Sequence, residues 1–339
     1  MKRYGNLYET VCSMENLEKA HRSARRGKTW YPEVQMVNQN TDYFLSEIHD
    51  MLVNKTYHTS EYEVFIKTDS GKEREIYKLP YYPDRIVHWA ILQVIEPILL
   101  RFFTADTYSA IPNRGVHYGY RRVQNDLRSD KEGCVYCLKF DIKKYYPSVN
   151  HDILKKLYRR LFKDKDLLWL IDEIIDSVPE DKGVPIGNYL SQYSGNLYLA
   201  WFDHWIKEVK HVKHYHRYMD DIVIFSSSKK ELRELFADIR HYLKDELNLT
   251  IKHNWQIFPT FVRGVDFLGY RFFGDYTLLR KRTCKNMKRK LLKINKKQTL
   301  NPNYELTEKN ISTLASYNGW LKYCDSYRLR KKYYEPITT

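Results

Sequence analysis

Tyr215-His216-Arg217-Tyr218-Met219-Asp220-Asp221-Ile222-Val223-Ile224-Phe225 is the stretch on which the reading of this 339-residue chain turns. Tyr215–Tyr218 and Ile222–Phe225 have the aromatic and β-branched content of strands. Between them two adjacent carboxylates sit at a hairpin tip. Such neighbours repel each other unless a cation neutralises them. An Asp-Asp pair is also an ordinary way to close a turn. Upstream, Phe140-Asp141-Ile142-Lys143-Lys144-Tyr145-Tyr146 places Asp141 at the end of the apolar run that begins at Cys134. A lone strand-end Asp is usually a cap or turn residue. Two such strands side by side, however, would converge Asp141, Asp220 and Asp221 on one point. Hard divalent cations such as Mg²⁺ prefer oxygen ligands of this kind. A pair of ions about 4 Å apart can activate a hydroxyl and stabilise a departing pyrophosphate.

Charge points the same way. Lys and Arg number 57 against 42 Asp and Glu, a net charge of +15, which favours a polyanionic partner, either nucleic acid or a membrane surface. The 30 tyrosines suit stacking on bases. Residues 280–339 hold sixteen Lys or Arg and four Asp or Glu, interleaved with Tyr304, Tyr317, Trp320, Tyr323, Tyr327, Tyr333 and Tyr334. A solvated basic face is the plain alternative to a grip on a nucleic-acid backbone. Apolar residues make up 43% of the chain, which excludes a disordered polymer. The run Trp89–Leu100 is broken by Gln93 and Glu96 and is too short to span a bilayer. The opening Met-Lys-Arg-Tyr-Gly leads into polar sequence, unlike a signal segment. Five cysteines form no disulfide framework. The expectation is a cytoplasmic protein, with no membrane partner. Cys134 and Cys137 lack the second pair of a zinc ribbon and read as reduced strand cysteines. His211, His214 and His216 lack clear ligand spacing and read as residues of an exposed strand.

Periodicity predicts helices over 10–27 and Asn38–Asn54, then a hairpin of Tyr62–Lys67 and Arg74–Leu79. Asp84 is placed to cap a helix over Ile86–Leu100. Further helices are expected at His151–Phe162, Leu167–Val178, Asn188–Val209 and Lys229–Leu247. Strands are expected at Leu249–Phe258 and Val265–Phe273. The pattern is α+β with a mainly antiparallel sheet.

Taken in order, these motifs resemble those of reverse transcriptases. Phe140–Tyr146 resembles motif A, Gly183–Gln192 motif B, and Tyr218-Met219-Asp220-Asp221 the Tyr-x-Asp-Asp of motif C. Gly264–Tyr270 resembles the primer-grip motif E. Arg74–His88 and Tyr108–His117 resemble the fingers motifs of group II intron-like bacterial and phage enzymes. The resemblance covers roughly residues 60–330. It implies a right-hand polymerase: fingers over 1–139 with part of 150–182, a palm over 140–275 of antiparallel sheet backed by helices, and a basic helical thumb over 276–339. It implies that Asp141, Asp220 and Asp221 are catalytic and hold two Mg²⁺, with Mn²⁺ a possible substitute. Tyr146 would be the steric gate against a ribose 2′-hydroxyl, with a core tyrosine as the alternative. Arg74 would fork onto the incoming triphosphate. Lys67, Lys72 and Lys78 could assist or be surface lysines. Ile186, Gly187 and Gln192 would line the nucleotide site. Tyr218, Met219, Leu268 and Gly269 would grip primer and template.

Motif B narrows the resemblance. Val184-Pro185-Ile186-Gly187-Asn188-Tyr189-Leu190-Ser191-Gln192 has Ile-Gly-x-x-x-Ser-Gln where most reverse transcriptases have Gln-Gly-x-x-x-Ser-Pro. The variant resembles enzymes of diversity-generating retroelements. These copy a template-repeat RNA into cDNA with errors opposite adenine. Ile186 can neither donate nor accept a hydrogen bond. Losing such a contact could relax selection by about 1–3 kcal/mol, and Ile186 as a packing residue is the bland alternative. The resemblance further implies RNA template, primer and deoxynucleotides as partners, with a small basic helical accessory oligomer. Two rivals stand beside it: a reverse transcriptase of another bacterial retroelement, of intron or antiphage type, and a non-catalytic RNA-binding splicing helper. The chain also departs from the family. Trp255 stands where motif D often has a lysine, leaving Lys252 or His253 as substitutes.

Overall fold

A computed structural model of the chain describes residues 3–69, 72–178, 180–185, 188–301 and 303–338. The chain packs as two compact units, each built from three segments. The first comprises Met1–Ile111, Ile142–His211 and Asp238–Lys252; the second comprises Pro112–Asp141, Val212–Ala237 and His253–Thr339.

The first unit is mainly helical. The helix expected over 10–27 is two, Tyr8–Cys12 and Met14–Ala24, because Ser13 leaves the helical region and caps the second through Asn16 N–H. Pro32–Gln39 and Thr41–Val53 follow, where one helix over 38–54 was expected. The hairpin holds: β1 (Glu63–Asp69) pairs antiparallel with β2 (Lys72–Lys78). Asp84 does not cap the next helix. It is fully buried, and its Oδ1 accepts from the Tyr57 hydroxyl at 2.8 Å and from Ser60 N–H at 3.1 Å. Ile86–Phe102 then runs as a helix that buries nine of its seventeen residues. His151–Leu161, Lys165–Asp176 and the long Tyr189–His204 complete the unit.

The second unit holds two sheets. One has the order β4–β5–β3–β6: β3 (Tyr136–Asp141), β4 (His214–Tyr218), β5 (Asp221–Ser226) and β6 (Gln256–Pro259). The strand expected over Leu249–Phe258 is therefore only its last part. The other sheet is a meander of β7 (Val265–Phe267), β8 (Tyr270–Phe272) and β9 (Thr277–Leu279). The extended run expected over Val265–Phe273 is thus a hairpin. Leu268 and Gly269 both take positive φ, 52° and 83°, which suits a two-residue turn. A Cβ on Gly269 would also lie 2.5 Å from the Trp320 ring. Every strand pairing in the three sheets is antiparallel, so the α+β reading stands.

Helix Val116–Ser129, not anticipated from periodicity, belongs to this unit. Its Asp126 and Asp130 reach His214 Nδ1 at 2.9 Å and Nε2 at 2.8 Å, and Asp126 lies 3.2 Å from His216 Nε2. The exposed-strand reading of these histidines is therefore wrong for His214 and His216, which are buried and ion-paired. His211 precedes the strand and is exposed. Cys134 and Cys137 are buried free thiols. The basic C-terminal region forms helices Lys281–Leu300 and Glu308–Leu321. Met287, Leu291 and Ile294 give the first its buried stripe. Several of the interleaved tyrosines lie under this region's own cations, Tyr317 under Lys290 and Tyr304 under Lys297 among them. No helix among the described residues is long and apolar enough to cross a membrane.

Candidate active site

The acidic end of the four-stranded sheet lies wholly within the second unit. β3 and β5 run antiparallel in a register that makes Asp141 and Asp221 Cα partners. Tyr218 and Asp221 close the β4–β5 hairpin, with Met219 and Asp220 as its two-residue turn. Met219 takes a φ of 56°, the left-handed conformation that such a turn requires of its first residue. A non-glycine residue there carries strain of about 1 kcal/mol or more. The turn is propped from beneath. Arg217 is fully buried and donates from Nη1 to the Met219 carbonyl at 3.1 Å.

Side chains alternate along β3, so Lys139 shares a face with Asp141. Its ammonium donates to Asp221 Oδ1 at 2.7 Å and to the Asp266 carbonyl at 2.6 Å. It also lies 5.6 Å from the Phe267 ring centre. One lysine thus ties the carboxylate of the β4–β5 hairpin to the hairpin that carries Leu268 and Gly269. Burial is the largest influence on Asp221 and raises its pKa; Asp141 adds to the rise, while Lys139 and Arg280 oppose it.

Among the described residues no three His, Cys, Asp or Glu side chains are gathered closely enough to enclose an ion. The donor set is nonetheless of the right kind. It offers carboxylate oxygen only, which suits Mg²⁺ or Mn²⁺ rather than zinc. The repulsion between Asp141 and Asp221 is what a cation would relieve, and Lys139 already supplies one positive charge there. In chemical kind, therefore, the residues fit a hard divalent ion.

A profile of the family described as "Reverse transcriptase (RNA-dependent DNA polymerase)" matches residues 66–272, which contain all three aspartates. The chain belongs to the reverse transcriptase family. Protein YkfC of Escherichia coli (strain K12) is 27% identical over 261 residues, covering 65% of this chain and 67% of that protein. Nuclear intron maturase 1, mitochondrial, of Arabidopsis thaliana is 28% identical over 104 residues, 30% of this chain and 14% of the maturase. An uncharacterized 91 kDa protein in the cob intron of Schizosaccharomyces pombe is 26% identical over 135 residues, 38% of this chain and 16% of that protein. Among solved structures, apo telomerase from Candida tropicalis superposes with a TM-score of 0.53 at 12% identity, over 76% of this chain and 51% of that one. Telomerase from Candida albicans with a fragment of telomeric RNA gives 0.52 at 10% identity, over 83% and 61%. These likenesses establish a shared right-hand polymerase fold, and this chain spans little more than half the length of those structures.

Of the residues expected to act, Asp141, Asp220, Asp221, Tyr218, Met219, Leu268 and Gly269 all lie in this reverse transcriptase's second unit. Arg74, Tyr146 and Gln192 belong to the first. Arg74 is exposed on β2, the Cα partner of Lys67. Tyr146 is half-buried, edge-on to Tyr145, and its carbonyl accepts from Val184 N–H at 3.0 Å. Gln192 is exposed in the first turn of Tyr189–His204. Ile186 and Gly187 lie outside the described residues. Lys139 and Arg217 went unread in the sequence. The strand alternation pointed to Lys139, a charged residue two before Asp141; nothing local pointed to a buried Arg217.

Proposed function

We propose that this chain copies RNA into DNA by nucleotidyl transfer at Asp141, Asp220 and Asp221. The observation that carries the reading is the register that pairs Asp141 with Asp221 and leaves Asp220 in the intervening turn. These carboxylates would hold divalent ions, Mg²⁺ or Mn²⁺, which when bound activate a primer hydroxyl and offset charge on the phosphoryl oxygens. The chain's own groups do the positioning. Lys139 holds the Asp221 carboxylate in place, and Arg217 holds the turn that carries Asp220. The Leu268-Gly269 turn, tied to the same lysine through Asp266, is suited to hold a primer end. Arg74 is assigned to the triphosphate, Tyr146 to sugar selection, and Ile186, Gly187 and Gln192 to the nucleotide site. Fingers, palm and thumb follow the limits given by the sequence.

The finer reading is a diversity-generating retroelement enzyme that makes adenine-mutagenic cDNA from a template-repeat RNA, aided by a small basic helical oligomer. Its support is motif B, with Ile186 and Gln192 in place of the usual Gln and Pro. An intron-type enzyme is the second reading. Its support is that two relatives carry an intron in their names.

The test is cDNA synthesis by the full chain on RNA of mixed sequence with Mg²⁺ and deoxynucleotides, errors being sorted by template base. Product absent from the Asp220→Ala protein, with errors concentrated at adenines, supports both levels of the reading. Even, low error removes the mutagenic level and favours the intron-type enzyme. Undiminished product from Asp220→Ala removes the site. Ile186→Gln is expected to lower adenine errors, and an unchanged spectrum would sink the role given to Ile186.

A further inference from the structure

The first unit has a basic cavity of about 270 Å³, walled by the turn after helix Met14–Ala24, the start of helix Ile86–Phe102 and the first turn of helix Tyr189–His204. Arg26, Lys28 and Arg85 line it, and it shares Gln192 with the nucleotide site proposed above. The second unit holds a pair of side chains that neither its sheets nor the carboxylates explain. Asp266 and Arg280 face each other there, with Oδ1 of the first 4.0 Å from Nε of the second. That is within the range of an ion pair but too long for a hydrogen bond. Both atoms are buried, and neither has a hydrogen-bond partner. Buried polar atoms without partners are rare and costly. A closure of about 1 Å would give each atom the other. Contacts of this kind are often long before substrate binds and shorten in the working complex.

The two residues meet for reasons visible in the chain. Asp266 is the central residue of β7, and its cross-strand partner is Arg271. Arg271 turns its guanidinium to the Arg263 carbonyl instead. Arg280 follows β9 directly and is the N-cap of the twenty-residue basic helix Lys281–Leu300. Its backbone N–H donates to the Gly269 carbonyl at 3.0 Å. Arg280 thus holds the β7–β8 hairpin twice, at its turn by backbone and at its first strand by side chain. The hairpin in turn reaches the carboxylates. The Asp266 carbonyl accepts from Lys139, and the same ammonium donates to Asp221. The charge of Arg280 is felt at Asp221 as well.

We propose that Arg280 is a positioning residue for nucleotidyl transfer. Its guanidinium engages the Asp266 carboxylate and so sets where Lys139 holds Asp221. The placement of helix Lys281–Leu300 is thereby passed to the carboxylates through Arg280, Asp266 and Lys139 in turn. The inference rests on the reading of Asp141, Asp220 and Asp221 as the reaction centre.

The test is steady-state primer extension by the full chain on an RNA template with Mg²⁺, reading kcat and the KM of deoxynucleotide and of primer–template. Arg280→Gln and Asp266→Asn are each expected to lower kcat by about tenfold and to move either KM by less than about twofold. The double variant is expected to lose no more than either single one, since both remove one contact. Adding Arg280→Gln to Lys139→Met should cost less than about twofold, because the chain of contacts is already cut; a mere brace of the hairpin would cost turnover there too. Melting temperatures within about 3 °C of the parent check folding. Asp266→Asn keeps the hairpin's shape and its carbonyl, so it decides the matter if Arg280→Gln melts lower. Full turnover in both single variants overturns the proposal, as do losses that multiply in the double variant. A raised KM for primer–template with kcat kept also overturns it, and makes Arg280 a contact of the nucleic acid. Asp220→Ala alongside separates two failures. If it keeps full product, the reaction centre is misplaced and this inference falls with it. If it is dead while Arg280→Gln and Asp266→Asn are not slowed, only the role of Arg280 falls.

Discussion

The acidic end of the four-stranded sheet and the basic cavity of the first unit each gather like charge, and they handle it differently. At the sheet, Asp141 and Asp221 face each other across the register, and the chain supplies its own partial remedy in Lys139. In the cavity, Lys28 and Arg85 crowd each other and no carboxylate lines the wall. The first place has a cation of its own among its carboxylates, and the second has no acidic residue in its lining. Like charges held together without a partner are a cost to the fold. Where the fold bears that cost, a ligand of opposite sign is the physical reason to look for. The acidic place calls for a hard cation and the basic place for an anion.

The comparison breaks most sharply if the acidic place is not the reaction centre. Asp220→Ala is expected to reduce cDNA synthesis by roughly a thousandfold or more, about 4 kcal/mol of transition-state stabilisation. Melting temperature should scarcely change, since Asp220 sits in a turn at the sheet's edge. Primer extension beside a thermal melt measures both. Lys139→Met sharpens the same point. Without its ammonium, Asp221 and Asp141 are left to repel each other, so bound Mn²⁺ should gain affinity by about threefold or more. Turnover should nonetheless fall by about tenfold, because the Asp266 carbonyl and the hairpin of Leu268 and Gly269 lose their tie. Electron paramagnetic resonance of Mn²⁺ in the nucleotide-free protein reads the first effect. Weaker Mn²⁺ binding would show that Lys139 supports the site in some other way.

The two places also differ in how much of each was legible in the sequence. The aspartates were readable because Asp141 ends one short apolar strand and Asp220 and Asp221 lie where two others meet in a hairpin, and strand ends are visible from alternation and turn residues. The fold class was readable for the same reason. The cavity was not, because its walls come from residues 23–28, 85–89 and 188–192, which only folding brings together. The elements that were misread share a cause. Asp84 has the composition of a helix cap, but tertiary hydrogen bonds from Tyr57 and Ser60 claim its carboxylate. His214 and His216 have the alternation of an exposed strand, but helix Val116–Ser129 covers them with Asp126 and Asp130. That helix carries Val116, Tyr120, Val123 and Leu127 at helical spacing, so its signal was present in the sequence and went unread. For Asp84 and the two histidines a distant partner outweighed a local propensity.

A smaller effect is expected at the cavity. Removing two crowded cations should leave the Arg26→Ala/Lys28→Ala protein as stable as the parent or more so by about 0.5 kcal/mol. A double variant clearly less stable than the parent in a thermal melt would show that the crowding of Lys28 by Arg85 is not a cost to the fold.

The cluster of His214 with Asp126 and Asp130 is the balanced case against which both places can be read. Here opposite charges meet within the fold, so no ligand is called for. Its signature should be pH dependence of stability instead. The hydrogen bond that His214 donates to Asp126 comes first among the influences that raise the His214 pKa from 6.5 to about 10. A raised histidine adds stability that is fully present below its unfolded value near 6.5 and is lost as pH climbs through about 10. For Asp126, burial works against ionisation, but the bonds to His214 and His216 outweigh it and lower the pKa. For Asp130, the bonds to Lys213 and His214 lower it. Lowered carboxylates add stability that is present above their ordinary value near 3.8 and is lost as pH falls below it. Melting temperature should therefore be greatest between about pH 4 and 6.5 and should decline on both sides. His214→Asn should flatten the alkaline side, because the titrating group is gone, while the acid side keeps part of its slope from Asp130 and Lys213. An alkaline slope as steep in His214→Asn as in the parent would mean that other groups set it. The cluster would then no longer serve as the self-compensated standard against which the acidic and basic places stand out.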